Sequence, residues 1–152
     1  MDKKIIAVIG AATADRPLLD IAEEVGRLIA KKEAVLICGG LGGVMEAAAK
    51  GARSEGGMTI GILPQPHKEE ANPYIEIPVV TGLGEGRNVI IARTADALIA
   101  IGGEYGTLSE IAFGLKTGKP VIGIQTWDIK GVMKADNATD ALNKAFEILG
   151  TA

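Results

Sequence analysis

Three glycine-rich turns, each placed between a short apolar run and a longer amphipathic run, constrain this chain more than any other feature. They occupy residues 39–43, 82–86 and 102–106. Glycine supplies 21 of the 152 residues, and these glycines cluster at the ends of apolar runs. A chain that alternates strand, glycine turn and helix in this way builds β-α-β units, whose crossovers are right-handed by default.

The apolar runs predict six strands, and the amphipathic runs predict five helices. The strands are almost entirely apolar, which is typical of strands buried on both faces of a parallel sheet. We therefore expect a single domain over residues 1–152 of the α/β class, a doubly wound, mostly parallel, Rossmann-like sheet with helices on both faces. The predicted strands are 4–10, 34–38, 58–63, 76–81, 97–101 and 120–124, and the predicted helices are 18–31, 44–54, 87–94, 107–117 and 139–149.

Composition excludes several classes of function. The formal net charge is −3 and aromatic residues make up 3% of the chain, so we expect no nucleic-acid surface. One cysteine and one histidine cannot build a disulfide or a Cys/His metal site, and we predict no metal. No apolar run approaches the ~20 residues that cross a bilayer, and the charged start does not resemble a secretory signal. We therefore expect no membrane association and a cytoplasmic location.

The glycine turns also indicate where a ligand would bind. In an open parallel sheet, ligands bind beyond the carboxyl ends of the strands. Each turn follows a strand and precedes a helix, so all three should lie at that edge and offer backbone amides to an anion. This arrangement predicts a site for a phosphate-type group. Gly10 is followed by Ala11-Ala12-Thr13 rather than by the G-x-G-x-x-G pattern, and no P-loop pattern occurs, so a nicotinamide hydride carrier is disfavoured.

Two ionisable residues are candidates for chemistry. Arg87 begins the helix after the fourth strand, and Glu110 lies in the first turn of the helix after the fifth. If those strands are neighbours, about 4.8 Å apart, both side chains face one cleft. The alternatives are that Glu110 caps its own helix and that Arg87 clamps a phosphate or forms a salt bridge. Glu104, within the third turn, would oppose an anion unless it binds a hydroxyl or a cation.

Three stretches together resemble a known superfamily. They are Cys38-Gly39-Gly40-Leu41-Gly42-Gly43-Val44-Met45, Gly86-Arg87-Asn88, and the run from Ile101 to Glu110, IGGEYGTLSE. They are similar to the Rossmann family once labelled "possible lysine decarboxylase", which includes the LONELY GUY cytokinin-activating phosphoribohydrolases. Its hallmark is P-G-G-x-G-T-x-x-E with an upstream arginine. Within it, the small branch that contains the molybdenum-cofactor carrier proteins is the most similar. The decarboxylase label has no support here, because nothing marks one lysine as a pyridoxal-phosphate anchor.

The resemblance implies roles for individual residues and also shows departures. It implies that Gly106 and Thr107 contact phosphate, and it places Arg87 and Glu110 at the positions that are catalytic in the phosphoribohydrolases. Gly102 replaces the motif proline, Glu104 replaces its second glycine, and Asn88 stands where the hydrolases usually have lysine. The predicted ligand-binding residues are Gly10, Gly39, Gly40, Gly42, Gly43, Met45, Arg87, Asn88, Gly102, Gly103, Glu104, Tyr105, Gly106 and Thr107.

Because of these departures, we rank three expected functions. The first is a binding or carrier protein for a phosphorylated, nucleotide-like ligand such as a molybdopterin-type cofactor, with no cofactor required for its own activity. The alternative is a phosphoribohydrolase that cleaves the N-glycosidic bond of a nucleoside 5′-monophosphate to give the base and ribose 5-phosphate. A third reading is a scaffold whose cleft is insensitive to ligands. The resemblance also implies a homo-oligomer, either a dimer or a tetramer.

Overall fold

The computed structural model describes residues 2–150, and within them the chain forms seven strands and five helices. Short 3-10 turns at Lys68–Glu70 and Gly84–Gly86 interrupt the loops on either side of the fourth strand. In chain order the elements are β1 Ile5–Gly10, α1 Arg16–Lys31, β2 Val35–Cys38, α2 Val44–Ser54, β3 Thr59–Leu63, β4 Ile77–Val80, α3 Arg87–Thr94, β5 Ala97–Ile101, α4 Tyr105–Lys116, β6 Val121–Ile124, β7 Val132–Lys134 and α5 Ala138–Ile148.

All seven strands join one sheet in the order β4-β3-β2-β1-β5-β6-β7, and every adjacent pair is parallel. The prediction of a doubly wound, Rossmann-like sheet is confirmed. The strands β2, β3 and β4 lie on one side of β1, and the last three strands lie on the other. The strand order therefore reverses between β1 and β5, and this is the position where open α/β sheets form a ligand crevice.

Helices cover both faces of the sheet, as predicted, because the central strands are apolar on both sides. In β1, Ile6 and Val8 belong to the core layer formed with α1, α2 and α5, whereas Ala7 and Ile9 belong to the layer formed with α3 and α4. This alternation follows from the two-residue period of a strand. All four side chains are at most 1% exposed. Within residues 2–150, no helix is both long enough and apolar enough to cross a membrane.

Two glycines let α1 and α2 pack unusually closely. A Cβ atom added at Gly26 would lie 1.9 Å from the backbone oxygen of Ala48, and one added at Gly51 would lie 1.9 Å from the backbone oxygen of Glu23. Each helix therefore presents its glycine to the backbone of the other. This contact fixes the two helices against each other on the face of the sheet that α1, α2 and α5 cover.

The structure corrects the predicted strands in three respects. The sequence analysis missed β7, in which Lys134 is exposed and the three residues are too few to show a period. It also took the strands to be buried on both faces, but β4 is an edge strand with Ile77, Val79 and Val80 exposed. The sequence analysis placed Arg87 and Glu110 in one cleft on the condition that the fourth and fifth strands are neighbours. That condition is not met, since β3, β2 and β1 separate β4 from β5.

Two helices begin two residues earlier than predicted. The helix α1 begins at Arg16 because Asp15 accepts a hydrogen bond from the amide of Leu18 (3.2 Å), an N-cap followed by proline in the first turn. The helix α4 begins at Tyr105, so Glu110 lies in its second turn and not in its first. The capping role considered for Glu110 is therefore wrong.

Candidate ligand-binding site

A cavity of about 350 Å³ opens at the carboxyl edge of the sheet, beside the reversal of strand order between β1 and β5. Four loops surround it: the β1–α1 loop and the three glycine turns. The residues that line it are Val8, Ile9, Gly10, Ala11, Ala12, Thr13, Gly39, Leu41, Met45, Glu85, Arg87, Asn88, Glu104, Gly106, Thr107 and Glu110. The turns thus converge on one cavity, as the glycine pattern predicted.

The structure brings together many of the residues singled out in the sequence. Both candidate catalytic residues, Arg87 and Glu110, face the cavity. The predicted ligand-binding residues that line it are Gly10, Gly39, Met45, Arg87, Asn88, Glu104, Gly106 and Thr107. Those that do not line it are Gly40, Gly42, Gly43, Gly102, Gly103 and Tyr105. Contact of any of these residues with a ligand stays a prediction.

Two of the glycines outside the cavity shape the turns instead. Gly43 has φ +62°, and a Cβ there would lie 2.3 Å from the backbone oxygen of Ala11. Gly103 has φ +103°, and a Cβ there would lie 2.3 Å from Oγ1 of Thr107. Glycine is required at both positions because the backbone is left-handed and the space is occupied. These residues position the cavity walls without being part of them.

Sequence reasoning missed the contribution of the first β-α loop. Ala11, Ala12 and Thr13 line the cavity, although this loop lacks the dinucleotide fingerprint. The available signal was its place directly after a buried strand, since the carboxyl ends of parallel strands share one edge. Glu85, in the second glycine turn, was missed as well and also lines the cavity.

The guanidinium of Arg87 is buried and held by the protein on three sides. Its Nε donates to the carbonyl oxygen of Ile62 (2.9 Å), its Nη1 donates to Oδ1 of Asn88, and its Nη2 lies 3.5 Å from the carbonyl oxygen of Gly39. Asn88 in turn donates from Nδ2 to Oγ of Ser109 (3.1 Å), which links α3 to α4. Burial lowers the pKa of Arg87 from its ordinary value, against the opposing effect of nearby Glu110. The cation is therefore preoriented toward the cavity.

The carboxyl group of Glu110 is also buried, with 6% of the residue exposed. Burial raises the pKa of Glu110 from its ordinary 4.5 to about 8, and the positive charge of Arg87 only partly offsets this effect. At neutral pH the group is therefore mostly protonated, and it can donate a hydrogen bond into the cavity. A buried neutral acid beside a cation is a common feature of binding and catalytic sites.

The charges are graded from the interior of the cavity to its mouth. Arg87 is 9% exposed, whereas Glu85 and Glu104 are exposed carboxylates. The cavity also includes Gly106 and Thr107, in the first turn of α4, whose amides have no acceptor within the helix. A helix N-terminus beside a buried guanidinium attracts an anion. The interior of the cavity therefore suits a phosphate, and the mouth suits groups that donate hydrogen bonds.

Fold and site together define a doubly wound α/β protein of the Rossmann class, with a cavity at the switch point of its sheet that contains a buried arginine and a buried glutamic acid. The chain belongs to the SLOG cluster4 family, whose model matches residues 3–148. This match confirms the resemblance to the LONELY GUY superfamily, because phosphoribohydrolases of that group are among the relatives of the chain.

Two relatives illustrate the range of the family. An uncharacterized protein of Archaeoglobus fulgidus is 49% identical over 139 residues, which cover 91% of each chain. A cytokinin riboside 5′-monophosphate phosphoribohydrolase of Mycobacterium tuberculosis is 32% identical over 136 residues, which cover 83% of this chain and 72% of that enzyme.

Two solved structures are similar over almost the full length. The molybdenum cofactor binding protein of Rippkaea orientalis superimposes with a TM-score of 0.93 at 37% identity, covering 98% of this chain and 99% of that chain. The molybdenum cofactor carrier protein of Chlamydomonas reinhardtii superimposes with a TM-score of 0.88 at 36% identity, covering 99% of this chain and 100% of that chain. Both results agree with the branch of the superfamily that the motifs indicated.

Proposed function

We propose that this protein binds and carries a phosphorylated, nucleotide-like ligand and does not transform it. The phosphate would lie between the guanidinium of Arg87 and the first amides of α4 at Gly106 and Thr107. The observation that carries the proposal is the buried, preoriented Arg87 facing an open cavity at a helix N-terminus. The cavity volume of about 350 Å³ lies within the ~300–1,000 Å³ range of small-molecule sites.

The carried ligand that we favour is a molybdopterin-type cofactor, which would be cargo and not a resident group. The support is the similarity to two molybdenum cofactor binding or carrier proteins over nearly the whole of both chains. The residues fit a phosphorylated pterin in chemical character, since one cation and helix amides suit the phosphate and rim carboxylates suit the ring's N–H groups.

The protonation state of Glu110 favours carriage over hydrolysis. Cleavage of an N-glycosidic bond passes through an oxocarbenium-like transition state, which an ionised carboxylate stabilises. Because the pKa of Glu110 is about 8, little of that negative charge is present at neutral pH. A neutral acid can still donate a hydrogen bond to a bound ligand. Hydrolysis would need either ionised Glu110 or neutral Glu110 acting as a general acid toward the leaving base, whereas carriage needs neither.

The phosphoribohydrolase remains the second candidate, because Arg87 and Glu110 face one cavity and a relative at 32% identity carries that name. In that reaction the bond between ribose C1′ and the base nitrogen breaks, a water oxygen bonds to C1′, and the base leaves with a proton. Ionised Glu110 would orient the water, and Arg87 would hold the phosphate. The test below separates this reaction from carriage.

The test is calorimetry of the full chain with ribose 5-phosphate, AMP and GMP, followed by chromatography for released base. Carriage predicts binding of the phosphorylated ligands with no free adenine or guanine after prolonged incubation. Release of base that Glu110→Gln abolishes would instead establish the hydrolase. Failure of every phosphorylated ligand to bind would leave only the scaffold reading and would overturn the proposal.

Homo-oligomerisation as a dimer or tetramer also stays a prediction. The supporting observation is a run of exposed apolar side chains along the edge strand β4 and the turn after it, namely Ile77, Val79, Val80 and Leu83. Light scattering on the purified chain tests this prediction, and a monomer at all concentrations would contradict it. The cytoplasmic location likewise stays a prediction, to be checked by fractionation of cells.

A further inference from the structure

The third glycine turn carries an exposed aromatic residue between two residues that line the cavity. Tyr105 is 77% exposed and lies between Glu104 and Gly106, both of which line the cavity. Its ring is paired with that of Trp127, with the centroids 5.7 Å apart and the planes inclined by 36°. An exposed tyrosine ring held beside a second aromatic ring offers a stacking surface for a planar ligand.

The loop after β6 holds this turn in position. The indole Nε1 of Trp127 donates to the backbone oxygen of Glu104 (3.1 Å), and Oγ1 of Thr126 donates to the backbone oxygen of Gly102 (2.6 Å). The first and the middle residue of the turn are thus held by neighbouring residues of one loop. The aromatic pair and the Glu104 backbone therefore form a preorganised rim rather than a mobile tip.

In the described part of the chain, the Glu104 side chain has no hydrogen-bond or ion-pair partner. Glu104 is the N-cap residue of α4, yet its carboxylate does not cap the helix. Within residues 2–150 it takes part in no ion pair, although it lines a cavity that contains Arg87. A carboxylate beside a phosphate site is unfavourable by charge alone, unless a ligand donor reaches it.

We propose that the rim made by Glu104, Tyr105 and Trp127 selects a planar heterocycle with a 2-amino-4-oxopyrimidine edge, the edge shared by guanine and pterin rings. That edge carries an N–H and an NH₂ side by side, and two parallel hydrogen bonds from it match one carboxylate. Adenine lacks this pair of donors. The ring would stack on Tyr105, while its phosphate reaches the interior of the cavity.

This inference rests on the proposed function, but the two are separable by experiment. Ribose 5-phosphate has no ring and reports only on the phosphate site. Calorimetry on the full chain would compare it with AMP, GMP and neopterin monophosphate. Trp127 is the only tryptophan of the chain, so quenching of its fluorescence reports stacking at the rim.

The expected result is that GMP, neopterin monophosphate or both bind at least about tenfold more tightly than AMP, because two hydrogen bonds to a charged group are worth about that factor or more. Preference for GMP identifies a guanine nucleotide as the source of this edge, and preference for neopterin monophosphate identifies a pterin. The preferred ligand should also quench Trp127. Ribose 5-phosphate should bind without quenching.

Matched variants separate recognition from charge. Glu104→Gln should bring the preference over AMP down to about threefold or less, because the amide offers only one acceptor oxygen. Glu69→Gln removes the same charge from an exposed position outside the cavity and should leave the preference intact. Tyr105→Leu should weaken all ring-bearing ligands by about tenfold and leave ribose 5-phosphate unchanged. All three positions are exposed, so the variants should fold.

Two results would overturn the inference while leaving the proposed function in place. One is equal binding of AMP, GMP and neopterin monophosphate, with Glu104→Gln affecting all three alike, which would assign Glu104 to the ribose hydroxyls. The other is tighter binding of AMP than of the other two. Failure of ribose 5-phosphate and every nucleotide to bind would instead overturn the proposed function.

Discussion

The buried guanidinium of Arg87 and the buried carboxyl group of Glu110 face one cavity without forming an ion pair. Arg87 donates instead to the carbonyls of Ile62 and Gly39 and to the side chain of Asn88. Glu110 is buried, and burial raises its pKa to about 8 because the nearby positive charge of Arg87 only partly offsets the effect. This separation leaves both groups available to a ligand.

Replacement of Arg87 should weaken phosphate recognition. Arg87→Gln is expected to weaken binding of ribose 5-phosphate by about tenfold or more, because a charge-assisted contact is lost. The variant should also lower the midpoint of unfolding, since the carbonyl of Ile62 loses its donor. Calorimetry and thermal melting measure the two effects. Arg93→Gln is the control, because Arg93 is exposed on the same helix, and it should bind like the parent.

Ionisation of Glu110 should make the fold less stable as the pH rises. The folded pKa of about 8 lies above the ordinary 4.5, so the folded state binds the proton more tightly than the unfolded state does. The stability that this provides is fully present below pH 4.5 and is lost as the pH rises to about 8. Glu110→Gln should match the parent near pH 4.5 and be more stable than it at pH 8. A tenfold difference in proton affinity between the folded and unfolded states is worth about 1.4 kcal/mol, so the difference in stability should reach several kcal/mol.

Urea unfolding of both proteins at pH 5, 6.5 and 8 measures this effect. The difference between the two curves isolates Glu110, because all other titrating groups are shared. A constant difference across the range would contradict the assigned pKa.

A methyl group at Gly39 should disturb binding more than stability. A Cβ there would lie 2.7 Å from Nη2 of Arg87 and 2.7 Å from Sδ of Met45, the far ends of two flexible side chains. Met45 can shift at small cost, but Arg87 must give up hydrogen bonds that hold its guanidinium. Gly39→Ala should weaken binding of ribose 5-phosphate by about tenfold and lower the free energy of unfolding by about 1 kcal/mol. In contrast, Gly86→Ala meets only Leu83 at 3.5 Å and should do neither.

A methyl group at Gly26 should destabilise the whole domain. Alanine is intrinsically the better helix former by about 1 kcal/mol, but here its Cβ would lie 1.9 Å from the backbone oxygen of Ala48. Since backbone atoms cannot turn aside, α1 and α2 must separate. Gly26→Ala should therefore lower the free energy of unfolding by about 1–3 kcal/mol, measured in urea. An equal or higher stability would mean that the two helices are not in this contact.

Local pattern was sufficient for much of the fold. The strand-turn-helix alternation predicted the class and most element positions, including α2 at Val44–Ser54 and α3 at Arg87–Thr94. It failed at β7, where Val132–Lys134 is too short for a period, and at β4, whose apolar residues face outward at the edge. Burial depends on which strands lie beside a given strand, and the periodicity of one segment does not contain that information.

What the sequence by itself determined is the set of glycine turns and the motif residues they carry, because backbone freedom and helix starts are encoded within a few neighbouring residues. Only the tertiary structure decided that Arg87 meets Glu110. The strands before their two helices, β4 and β5, are separated by three others, and α3 crosses back to pack against β3, β1 and α4. The return of α3 brings its first residue, Arg87, to the switch point. The sequence alone did not determine this, because the order of strands in a sheet is set by long-range packing.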